Sequence, residues 1–247
     1  MMLEKVVAGN WKMNKTPKEG VLFVNDVKKA LSDISSTSVV FSPPFTGLAE
    51  INVEPPFYLS AQNCHWEESG AYTGEISLPI LKKCGVEVVI LGHSERRTNF
   101  GETDDMVNKK INSTIHNNII PILCIGESLE QRENGQTEAI LESQLKNSLK
   151  GISGLSKIIV AYEPIWAIGS GLVASNQQIQ NAHQFINQVL NKLFNEKLRI
   201  SVLYGGSVKP KNAESLINIK GVDGFLIGGA SLNAESFISI IKIVEKS

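Results

Sequence analysis

Short apolar runs, most of them rich in valine and isoleucine, recur eight times along the chain, and polar-faced stretches separate them. The runs are Lys5–Ala8, Ser38–Phe41, Phe57–Ala61, Val86–Leu91, Ile120–Ile125, Lys157–Tyr162, Ile200–Tyr204 and Gly224–Ile227. Most lack apolar/polar alternation, the pattern of strands covered on both faces in a parallel sheet. The segments between them carry the three- and four-residue apolar step of an amphipathic helix. The clearest starts at Ser175 and lines up Ile179, Ala182, Ile186, Val189 and Leu193; Thr137–Leu149 and Thr16–Leu31 repeat the pattern.

Strand and helix in alternation imply right-handed crossovers and a parallel sheet. Eight such units in 247 residues suit a closed (β/α)8 barrel, an α/β fold of eight parallel strands each followed by a helix, better than an open doubly wound sheet. An open sheet would place a Gly-x-Gly-x-x-Gly turn after the first strand, and Gly9-Asn10-Trp11-Lys12 stands there instead. No linker, charge block or fixed-period repeat interrupts the pattern, so residues 1–247 read as one barrel domain.

Composition narrows the function classes. The formal net charge is −1, which supplies no concentrated basic face for nucleic acid or an anionic membrane. No run of apolar residues is long enough to span a bilayer. The start, Met1-Met2-Leu3-Glu4-Lys5, lacks the apolar core of a secretory signal, so a soluble cytoplasmic protein is expected. Cys64, Cys84 and Cys124 are widely spaced, match no zinc or redox motif, and read as reduced thiols. His65, His116 and His183 have no paired ligand at metal spacing, so no metal is expected.

Candidate chemistry gathers where the predicted strands end, the face on which such barrels build their sites. The first strand leads to Asn10 and Lys12, the fourth to Gly92-His93-Ser94-Glu95-Arg96-Arg97, the sixth to Glu163 and Pro164, the seventh to Gly205-Gly206-Ser207, and the eighth to Gly228-Gly229. A carboxylate at the end of a buried strand is a candidate general base. After it, Pro164 and the apolar Ile165, Trp166 and Ile168 lead into Gly169-Ser170-Gly171, a candidate lid with one rigid and one flexible end. Each residue also has a plain structural reading: a solvated lysine, a hydrogen-bonded core histidine, tight glycine turns, tryptophans used for packing. Glycine-rich turns after both of the last two strands favour a phosphate site of backbone N–H groups.

Taken together, Ala8-Gly-Asn-Trp-Lys-Met-Asn14, Gln62-Asn63, Gly70-Ala-Tyr-Thr-Gly-Glu-Ile-Ser77, Leu91-Gly-His-Ser-Glu-Arg-Arg97, Cys124-Ile-Gly-Glu127, Ala161-Tyr-Glu-Pro-Ile-Trp-Ala-Ile-Gly169, Tyr204-Gly-Gly-Ser-Val208 and Gly228-Gly-Ala-Ser231 closely resemble the signatures of the triosephosphate isomerase family, in order and from end to end. The resemblance implies a TIM barrel and a cofactor-free isomerase of glycolysis and gluconeogenesis. Such an enzyme interconverts dihydroxyacetone phosphate and glyceraldehyde 3-phosphate through an enediol(ate).

On that resemblance Glu163 would be the base, His93 the group that polarises the carbonyl, and Lys12, with Asn10 beside it, the cation serving enediolate and phosphate. Ser94 and Glu95 would be supporting groups. Asn10, Lys12, Gly169, Ser207, Gly228 and Gly229 would bind the phosphate-bearing substrate. The loop from Asn63 to Ser77, too long for a simple connection, would seat against a second copy in a homodimer, with Thr73 near the other subunit's Asn10 and Lys12. The chain departs from the family pattern at Leu172, where a lysine commonly closes the lid, and in the bulky Cys64-His65-Trp66-Glu67-Glu68. Two rivals stand beside this reading. Another phosphate-binding barrel enzyme would lack the Asn10, Lys12, His93 and Glu163 set, and a barrel that had lost catalysis would have no chemical reason to keep it.

Overall fold

In a computed structural model that describes residues 5–152, 157–168, 172–194 and 200–247, the eight apolar runs are eight parallel strands closed into a barrel. They are β1 (Lys5–Asn10), β2 (Thr37–Ser42), β3 (Phe57–Ala61), β4 (Val88–Leu91), β5 (Ile120–Ile125), β6 (Ile159–Tyr162), β7 (Ser201–Tyr204) and β8 (Gly224–Ile227). Each pairs with the next in sequence, and β1 closes on β8 with Val6 opposite Gly224 and Gly9 opposite Ile227. The expected β1 stopped at Ala8; Gly9 and Asn10 extend it because Phe41 and Ser42 of β2 offer partners to that point. The expected fourth and sixth strands began two residues early. Val86 and Lys157 precede the paired register that starts at Val88 and Ile159.

The absence of alternation follows from two apolar environments. Val6, Ala8, Val88, Ile90, Ile122, Cys124, Ile159, Ala161, Leu203 and Leu226 fill the barrel interior. The residues between them, among them Val7, Val89, Leu91, Leu123, Ile125, Val160 and Tyr162, face the surrounding helices. Those helices are α1 (Pro17–Ala30), α2 (Leu78–Lys83), α3 (Ser94–Phe100), α4 (Asp104–His116), α5 (Leu129–Glu133), α6 (Thr137–Ser148), α7 (Asn176–Phe194), α8 (Pro210–Ile217) and α9 (Ala234–Lys246).

Local signals explain their limits. Thr16 caps α1 while the Glu19 carboxylate accepts from the Thr16 N–H at 2.7 Å, with Pro17 in the first turn. Such a reciprocal cap satisfies two donors that a helix start leaves open. In α7 the apolar face buries Ile179, Ala182, Ile186 and Val189, as its spacing predicts; Leu193, expected on the same face, is exposed near the helix end. After β2 the outer layer is only a 3-10 turn, Phe45–Glu50. Prolines 43, 44, 55 and 56 bracket that connection, and proline lacks the N–H that a longer helix would need. No helix among the described residues is long and apolar enough to cross a membrane.

Candidate active site

The carboxyl ends of the strands open into a cavity of about 670 Å³ lined by Asn10, Lys12, His93, Glu163, Ile168, Ser207, Gly228 and Gly229, among others. Seven of the expected site residues therefore meet at one rim. Gly169, expected at the phosphate, and the lid end Gly169–Gly171 lie outside the described residues.

Glu163 is delivered by the buried strand Ile159–Tyr162, and its own N–H extends the ladder to the Ile125 carbonyl at 2.7 Å. The residue is only 2% exposed, and its carboxylate is buried among donors. One carboxylate oxygen meets His93 Nε2 at 3.0 Å and the other accepts from the Ser94 N–H at 2.9 Å. Burial pushes the Glu163 carboxyl up, but His93, the Ser94 N–H and Lys12 together hold it below its ordinary value. Gly205 makes room for it: a Cβ there would come within 2.9 Å of Glu163 Cγ. The first glycine of that turn lines the cavity and also makes room for the carboxylate.

His93 follows Gly92, whose φ of 69° turns the chain out of β4, and it caps α3. Its Nδ1 accepts from the Glu95 N–H at 3.2 Å. A ring nitrogen that accepts carries no proton, so this contact requires the neutral imidazole with its hydrogen on Nε2, aimed at Glu163. Burial disfavours the charged ring, yet the Glu163 carboxylate and, behind it, Glu95 outweigh that and raise the His93 pKa. The two carboxylates thus draw a proton towards a ring that the helix start holds in its neutral geometry.

Lys12 stands in the left-handed region at φ 52°, an uncommon conformation for a residue with a side chain. Its N–H donates to the Asn10 side-chain oxygen at 3.1 Å, and its carbonyl accepts from Gln62 Nε2 at 2.8 Å. The ammonium reaches Glu95 Oε1 at 2.5 Å and lies beside Gly228, where a Cβ would come within 3.7 Å of Nζ. The cation therefore borders both the Glu163–His93 pair and the glycine turn of β8.

Supporting residues extend beyond those expected. Gln62 also holds the Ser42 carbonyl at 2.9 Å. The buried Glu102 accepts from the Gly92 N–H at 3.2 Å and pairs with the buried Lys110, which holds Asn63 at 2.9 Å. Burial first, and then the nearby Glu163 carboxylate, push the Cys124 thiol well up. Trp166, read as a packing residue, is half-buried at the start of the candidate lid. Its indole N–H donates to Glu127 at 3.0 Å, and Arg132 lies over its ring. Gln62, Asn63, Cys124, Glu127 and Trp166 lie in the motifs quoted above, whereas Glu102, Lys110 and Arg132 depend on long-range contacts. Ser94 contributes its backbone N–H rather than its hydroxyl to Glu163. All three cysteines are free, as expected.

A sequence model of triosephosphate isomerase matches residues 5–244. The chain belongs to the triosephosphate isomerase family. Relatives named triosephosphate isomerase include one from Alkaliphilus oremlandii, 47% identical with 97% of this chain and 99% of the relative covered. Another, from Citrifermentans bemidjiense, is 45% identical, covering 99% and 100%. A third, from Syntrophotalea carbinolica, is 44% identical, covering 98% of each. Family membership accounts for the motifs; the geometry above says which atoms they bring together.

Proposed function

We propose that the rim cavity interconverts dihydroxyacetone phosphate and glyceraldehyde 3-phosphate, with Glu163 as the base that carries the proton between the two substrate carbons. A proton next to a carbonyl is weakly acidic, so a carboxylate removes it only if the forming oxyanion is stabilised as it develops. The Nε2–H of His93 supplies that donor, and the Lys12 ammonium offsets the charge. Substrate entering the cavity parts the Glu163–His93 contact and removes the carboxylate that raises the histidine. The neutral ring held by the Glu95 N–H is then the form that faces the substrate oxygens. Asn10 orients Lys12. Ser207, Gly228 and Gly229, with Gly169, grip the phosphate, whose binding energy orients the reacting atoms from a distance. Ser94 and Glu95 hold the base and the cation.

The observation that carries this reading is the 3.0 Å contact between Glu163 and His93 Nε2 beside a bordering lysine. The test is a coupled assay of triose phosphate isomerisation on purified protein, in which absence of turnover would sink it. The same reading makes the protein a cytoplasmic homodimer joined through residues 63–77, with Thr73 near the partner's copy of the Asn10 and Lys12 segment. Tyr72 on this loop and Met13 next to Lys12 are exposed apolar side chains, which supports burial by a second copy. Sedimentation that found an active monomer at micromolar protein would refute the dimer.

A further inference from the structure

Gln144 makes a contact that the proposed chemistry does not use. It is half-buried on α6, in the outer helical layer, and its amide grips the backbone of a single residue twice. Its Oε1 accepts from the Gly126 N–H at 2.8 Å, and its Nε2 donates to the Gly126 carbonyl at 3.1 Å. Gly126 is buried and is the first residue beyond β5.

The need for this amide follows from strand geometry. On the β6 side, the Ile125 carbonyl accepts from the Glu163 N–H at 2.7 Å and the Glu127 carbonyl from the Ile165 N–H at 3.1 Å. Peptide groups alternate in direction along a strand, so the Gly126 pair points away from β6. On that side β4 has already ended, its last register pair being Leu91 with Leu123. Buried backbone donors and acceptors require partners. An amide side chain presents a donor and an acceptor side by side, and Gln144 thereby stands in for the missing strand.

Gly126 also touches the backbone of the proposed base. A Cβ on Gly126 would fall 1.7 Å from the Glu163 carbonyl oxygen, so the two segments are in direct contact. In a close-packed interior a shift of one such segment moves the other. We propose that Gln144 is a positioning residue for Glu163. It locks the Gly126 N–H and carbonyl so that the extended β5–β6 ladder delivers the carboxylate to His93. This inference rests on the reading of Glu163 as the base.

Two variants test it. Gln144→Met keeps the length and removes both hydrogen bonds. Gln144→Glu keeps the shape, but its carboxylate offers no donor to the Gly126 carbonyl; once protonated, it again has one donor and one acceptor. The measurements are kcat per folded molecule, affinity for a phosphate-bearing inhibitor, and the thermal midpoint, each against the parent protein.

Misplacement by about 1 Å can cost roughly 10²-fold, so the expected loss in kcat is about tenfold or more, with inhibitor affinity unchanged. For Gln144→Glu, the ratio of variant to parent kcat should rise as the pH is lowered. If folded variants keep the parent kcat and lose only thermal stability, the amide is merely structural and the proposal is overturned. A flat pH ratio, or inhibitor affinity falling together with kcat, overturns it as well. If Gln144→Met fails to fold, the pH ratio of Gln144→Glu decides. Failure of the underlying reading shows itself separately, because Glu163→Gln would then retain turnover whatever Gln144 does.

Discussion

Two histidines, His93 at the rim and His183 in the outer helical layer, are almost equally buried and titrate in opposite directions. His183 on α7 is fully enclosed; its Nδ1 meets the Gly221 carbonyl at 2.9 Å, and Tyr162 packs edge-on against its ring. With no carboxylate in contact among the described residues, burial drives its pKa down to about 4. His93 suffers the same burial, but the Glu163 carboxylate at 3.0 Å reverses the sign. Burial sets the penalty on the charged ring, and the partner decides whether it is overcome. One histidine is locked neutral as part of the core, while the other is held where a proton can move.

The largest effect should come from removing that partner. Glu163→Gln keeps the size of the side chain but cannot accept the proton, so turnover should fall by at least ~10²-fold with inhibitor affinity little changed. The same variant should bring His93 down towards the behaviour of His183. Titration of its ring by NMR would check this, and an unmoved His93 would show that the carboxylate is not what raises it.

Lys12→Met probes the cation beside this pair. A hydrogen bond to a charged group contributes about 1.5–3 kcal/mol, so affinity for a phosphate-bearing inhibitor should fall roughly 10- to 100-fold, with kcat falling as well. Unchanged inhibitor affinity would mean that Lys12 does not touch the ligand.

His183 predicts a stability effect. Its folded pKa lies below the unfolded value, so the unfolded chain binds the proton first. Stability is therefore full above about 6.5 and is lost as pH falls towards about 4. Each pKa unit is worth about 1.4 kcal/mol, which makes this contribution on the order of 3 kcal/mol. Denaturant melts of His183→Leu against the parent should show a flatter dependence in that window; parallel curves would place the acid sensitivity elsewhere.

The smallest expected effect is at Glu245 on α9. Burial opposes its charge, but the Ser35 and Ser36 N–H groups, at 2.9 and 3.0 Å, hold its pKa down at about 2. Its contribution is present above the ordinary carboxylate pKa of 4.5 and is lost as pH falls towards 2. Denaturant melts of Glu245→Gln should show stability lost above pH 4.5, with the difference from the parent closing as pH falls towards 2. A difference that stayed constant down to the acid end would contradict the assignment.

The sequence by itself determined the eight strands, the main helices, the barrel class and the residues that meet at its rim. All of these rest on short-range information: β-branched runs covered on both faces, helical periodicity, and turn or cap residues at strand ends. Barrel closure then follows from the count and order of the units, so Asn10, Lys12, His93, Glu163 and Ser207 could be assigned to one face before any contact was known. Only the tertiary structure decided what those residues do to one another. That Glu163 faces Nε2 of His93 depends on β4 and β6 converging, and that Gly205 serves Glu163 depends on a packing distance. The opposite titration of His93 and His183 depends on neighbours 70 and 38 residues away in the chain. Electrostatic partnership and close packing are set by distances across the fold, and no local pattern of hydrophobic and polar residues encodes them.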